Sequence, residues 1–242
     1  MKLKFNAEKL DHACDELAIQ YLLLYIHTSN LLDSYFNENK IEPSFPIDYE
    51  RFAKWLGIDI TYADLNYFRS SLHSKRLIKI DKNNDDTYIV SIERTATRFE
   101  KRYSICMVIA AYICNSYESF NTCENTRIPT NKSLLLSEIV ASFLLLPPKI
   151  TFKEIDIRAH SRLSYVQPDL DDIFYVLTMR NHLNNIQISA AFQHIKLLAF
   201  FLNYEQEKIV QFKDTADIDE AIGKQIEDVL NENWFSTKSF YI

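Results

Sequence analysis

The chain has 242 residues, 47% of them hydrophobic and 13% aromatic, enough for a sizeable core and for one or two domains. Only two glycines are present, which excludes glycine-rich phosphate cradles, since those loops need backbone conformations that glycine alone adopts freely. A net charge of -6 argues against broad nonspecific nucleic-acid binding, which rests on clustered lysine and arginine.

In chain order, Asn6 is a candidate N-cap for an amphipathic helix or helix pair over residues 6–38, with Leu10, Ala13, Leu17, Tyr21, Leu22, Tyr25 and Ile26 at helical spacing. The N-terminus lacks the apolar core and cleavage site of a signal peptide. No run approaches the about 20 apolar residues that cross a bilayer, so the expected location is cytoplasmic. Phe45-Pro46-Ile47-Asp48 opens a helix through Trp55 that Gly57 closes, and Ile58 to Tyr62 alternates as a strand. A short helix is expected over residues 64–72. Leu77 to Ile80 and Thr87 to Ile92 flank the turn-rich residues 81–86, the pattern of a hairpin.

Arg102 to Asn115 is uncharged from Ser104 onward and apolar on every face, which predicts a central buried helix. Ser133 to Pro148 reads the same way but carries one charge, Glu138, which is costly among apolar neighbours unless something pairs with it. Pro147-Pro148 stop that helix. Beyond it, helices are expected over Thr151 to His160, Asp171 to Leu183 and Ile188 to Leu202. In the last of these Phe192, Ile195, Leu197, Leu198, Phe200 and Phe201 point to core packing rather than to reading a DNA groove. An acidic helix over Thr215 to Asn231 and an apolar tail from Trp234 to Ile242 complete the chain.

The two apolar stretches together resemble the core of the ImmA/IrrE metallopeptidases. That family's first helix reads roughly Arg-Phe-Ser-Ile-Ala-His-Glu-Leu-Gly-His-Tyr, and its second Glu-x-x-Ala-x-x-Phe-Ala-x-x-Leu-Leu-Met-Pro. Arg102, Tyr103, Ser104, Ile105 and Tyr112 match the first. Glu138, Ala141, Leu145, Leu146 and Pro147 match the second, with Phe143 one place early. The preceding order of Pro-Ile-Asp, short helix, strand and hairpin is similar too. The resemblance implies an α+β, mostly α fold: a zincin-like core with a small three-stranded sheet over residues 1–150 and a C-terminal helical region, 151–242, packed on the same unit.

The catalytic centre of that pattern is missing. Where the family has His-Glu-x-x-His, two zinc-binding histidines and a general base, this chain has Met107, Val108 and Ala111. Glu138 alone matches a ligand position, so no catalytic residue, metal or cofactor is expected. His12, His27, His73, His160, His182 and His194 lie at no ligand spacing. Cys114 shares a helix face with Met107 and Ala111, while Cys14, Cys106 and Cys123 complete a set read as reduced thiols. Lys75-Arg76 and the group Arg94, Arg98, Lys101 and Arg102 read as solvated charge. The resemblance therefore implies a non-catalytic pseudo-peptidase that binds a protein, in particular a helix-turn-helix regulator of a phage, mobile element or stress response. A metal-dependent endopeptidase with a displaced metal site and a nucleic-acid-binding regulator are the alternatives.

Overall fold

The computed structural model describes residues 17–65, 78–82, 88–114, 132–151, 153, 178, 185–216 and 218–232. Residues 6–16 of the first expected helix, the helix expected at 64–72 beyond residue 65, the helices expected at 151–160 and 171–183 apart from residues 151, 153 and 178, and the tail from Trp234 lie outside them. The described part is mostly helical with one small sheet.

Helix α1, Leu17–Asn39, is not amphipathic along its whole length. Nearly every residue from Ala18 to Ile26 is buried, because this half runs between two later helices, whereas only one face is covered around Leu32, Tyr35 and Phe36. Helix α2, Tyr49–Leu56, is bounded as its sequence requires. The Asp48 side chain accepts the Arg51 amide at its start, and Gly57 closes it at φ 86°, in the left-handed region that glycine enters without steric cost.

Strand β1, Ile58–Ala63, follows at once; β2, Ile78–Lys82, and β3, Tyr88–Glu93, form the expected hairpin. The strand order is β1-β3-β2, with β3 antiparallel to β2 and parallel to β1. In that register Ile58, Val90 and Ile80 fall on one face and are buried, while Asp59, Thr61, Lys79 and Asp81 alternate to the exposed face.

Helix α3, Arg98–Ile113, crosses the apolar face, and Tyr112 meets Tyr88 edge to face at 6.2 Å. It begins one turn earlier than its apolar run suggests. Thr97 and Glu100 form a capping box, each side chain reaching the other's backbone amide, so the polar residues before Arg102 are already helical. Helix α4, Lys132–Leu145, packs along α3. After it Pro148 opens a further helical turn, in which the Thr151 amide donates to Pro147 O.

Helix α5, Asn185–Tyr204, lies against both α4 and α1. Ile188, Phe192, Ile195, Leu198 and Leu202 are buried as expected, but Leu197 and Phe200 are exposed, because they sit on the opposite face of a helix covered on one side. Helix α6, Gln206–Thr215, was not expected from the sequence; the helix expected over Thr215 to Asn231 is α7, Glu220–Leu230, which starts five residues later because Asp219 caps it by accepting the Ala221 amide. Among the described residues no helix is long and apolar enough to cross a membrane.

Candidate functional site

Met107, Val108 and Ala111 are all buried in the core shared by α3, α4 and the sheet, with Val108 and Ala111 wholly inaccessible. Tyr103, Met107 and Ala111 recur at four-residue spacing and so form one stripe along α3. Glu138 of α4 stands on the Tyr103 side of that stripe, near enough that its charge adds to the burial raising the tyrosine's pKa. Glu138 is itself an exposed residue, yet its carboxyl lies against enough protein for burial to raise its pKa. It is not enclosed among apolar neighbours, so the sequence's demand for a pairing partner, which assumed full burial, falls away.

Further along α3 the thiol of Cys114 is pushed up to about 12 by burial, with a hydrogen bond from Ser137 acting the other way. Cys106, beside Tyr103 on α3, is likewise pushed up to about 12 by burial. Both are free, and both behave as small apolar side chains. Cys14 and Cys123, as well as His12, His73, His160 and His182, lie outside the described residues. His27 and His194 are held neutral by burial.

A catalytic zinc needs three protein ligands and an open position. Met107 and Ala111 supply no donor, and among the described residues no group of three His, Cys, Asp or Glu side chains stands where it could hold a metal ion. The stripe does not fit zinc and offers no base to activate water. What it presents chemically is an apolar floor edged by the Tyr103 hydroxyl and the Glu138 carboxylate.

A second feature was not legible in the sequence. A cavity of about 450 Å³ opens at the start of α3, between the segment Pro46 to Glu50, Tyr62 of β1 and the first two turns of the helix. Arg102 is fixed in its wall: it donates to Ile47 O at 2.9 Å, and its guanidinium lies 4.7 Å over the Tyr49 ring. Tyr49 is anchored in turn by donating to Leu144 O at the end of α4. Lys101 sits 5.1 Å over the Tyr62 ring. The pattern Arg98-x-x-Lys101-Arg102 places all three cations on this side, but the floor comes from two remote stretches, so no local signal announced a cavity.

Comparisons of this chain with protein-family models, with curated proteins and with solved structures returned no match.

Proposed function

We propose that this chain is a non-catalytic relative of the ImmA/IrrE peptidases, with a zincin-like core, that acts by binding a regulatory protein of the helix-turn-helix class. The observation that carries this reading is the α3 stripe of Tyr103, Met107 and Ala111 with Glu138 of α4 beside it. Met107, Ala111 and Glu138 are the positions matched to the family's ligands, and Glu138 stands beside the stripe at its Tyr103 end. Buried apolar side chains occupy the positions matched to the ligands, which supports a scaffold rather than a hydrolytic site. Among the described residues no cluster of ligands favours a displaced metal site.

The reading is tested by incubating the purified chain with helix-turn-helix regulators encoded in its own genomic neighbourhood. Samples taken over hours are analysed by size-exclusion chromatography and intact-mass spectrometry. A complex containing the uncut regulator is expected. Fragments of the regulator, or no complex with any of them, would overturn the proposal.

A further inference from the structure

The cavity at the start of α3 has an unbalanced set of charges. Its two carboxylates are already engaged: Asp48 accepts the Arg51 amide as the cap of α2, and Glu50 accepts the Tyr62 hydroxyl. Its three cations are not matched. Among the described residues Arg98, Lys101 and Arg102 have no carboxylate partner. Arg102 also has its Nε buried without an acceptor, held between Ile47 O and the Tyr49 ring. A partly desolvated guanidinium in that state gains from any anion admitted beside it.

The rest of the lining selects the kind of anion. Pro46, Ile105 and the Tyr62 ring give an apolar floor, which suits a side chain next to a carboxylate. Asp48 and Glu50 in the lining disfavour a run of adjacent phosphates far more than a single carboxylate, and the whole molecule is acidic. We infer that this cavity docks an acidic, apolar-flanked peptide segment of a protein partner. One carboxylate of that segment sits among Arg98, Lys101 and Arg102, and its neighbouring apolar side chain lies on Tyr62 and Ile105. This site is separate from the Met107 stripe and does not depend on the zincin resemblance.

The test uses the full chain and a fluorescein-labelled, blocked peptide that alternates aspartate with phenylalanine or leucine, followed by anisotropy. The aspartate peptide should bind with an affinity that falls as salt rises. The same peptide with asparagine for aspartate, and the Arg98→Glu/Lys101→Glu variant with the original peptide, should each bind about tenfold more weakly or worse. Arg98 is exposed and Lys101 half-buried in the first turns of α3, and circular dichroism checks that the variant keeps its fold. Independently of any variant, carbodiimide should couple the peptide's carboxylate to Lys101 of the wild type, located by peptide mapping. Equal binding of the asparagine peptide, undiminished binding by a folded variant, or coupling only to other lysines would overturn the inference. So would tighter binding of a single-stranded oligothymidylate that displaces the peptide.

Discussion

The Tyr21 hydroxyl of α1 lies 2.7 Å from Nδ1 of His194 on α5, and this pair joins the first described helix to the long helix of the C-terminal region. Burial lowers the pKa of His194 and so favours the neutral ring, whose Nδ1 accepts from the tyrosine in the Nε2–H tautomer. Phe143 of α4 and Phe201 of α5 pack edge-on against the same Tyr21 ring, at 6.3 Å and 5.4 Å. Tyr21→Phe should therefore cost about 1 kcal/mol while leaving the ring packing in place. A double-mutant cycle with His194→Leu, read by urea denaturation, should show positive coupling. Strict additivity would mean that the hydrogen bond contributes nothing.

His27 on α1 predicts an acid-sensitive fold. Burial lowers its pKa from 6.5 to about 4, so the unfolded chain takes up a proton before the folded one does. Its contribution is complete above pH 6.5 and is lost as pH falls toward 4, a change on the order of 2 to 3 kcal/mol. His27→Gln should flatten the stability profile across that window. Parallel profiles for wild type and variant would contradict the assignment.

Glu138 predicts the opposite sign. Its folded pKa is raised by burial, so its charge works against folding at neutral pH, and the cost vanishes once pH falls below the ordinary glutamate value, about 4.3. Glu138→Gln should therefore stabilise the chain at pH 7 by less than about 1 kcal/mol, because the residue is exposed and screened, and should have no effect near pH 3. Thermal melts at the two pH values distinguish this from a paired, stabilising carboxylate, for which the substitution would lower Tm at pH 7.

Thr97 closes the capping box of α3, its Oγ1 accepting the Glu100 amide while Glu100 Oε2 accepts the Thr97 amide at 2.8 Å. Thr97→Ala should cost about 1 kcal/mol in chemical denaturation. It should also loosen the turn that carries Arg98, Lys101 and Arg102.

That capping box was written in the sequence as Thr-x-x-Glu ahead of an apolar run, and the hydrophobic pattern alone still set the start of α3 one turn late. Where a boundary is fixed by chain-local chemistry, as at Asp48 and Gly57 around α2, sequence and structure coincide. The parallel pairing of β1 with β3 was not legible, since register is set by which faces meet the core rather than by either strand alone. The same holds for Leu197 and Phe200, apolar residues on a helix that is covered on one side only. At the candidate site, sequence matching picked out Met107, Ala111 and Glu138, and the fold sets Glu138 beside the α3 stripe through Tyr103. The cavity beside Arg102 could not be found that way, because its parts converge only after α2, β1 and α3 have packed.

The proposed descent of this core from a zinc site is tested most directly by zinc titration of the Met107→His/Ala111→His variant against wild type, with competition by a chromogenic chelator. The two substitutions place imidazoles four residues apart on the α3 stripe, and on the proposed reading Glu138 completes a three-ligand set without a new carboxylate being buried at Val108. Ala111→His overfills a closed part of the core, so the metal-free variant should melt below wild type and recover on zinc addition. The account predicts one equivalent of zinc bound by the variant, more tightly than by wild type, and lost together with the recovered stability on chelation. A variant that folds normally yet binds zinc no better than wild type, or a wild type that itself carries one equivalent, would contradict it.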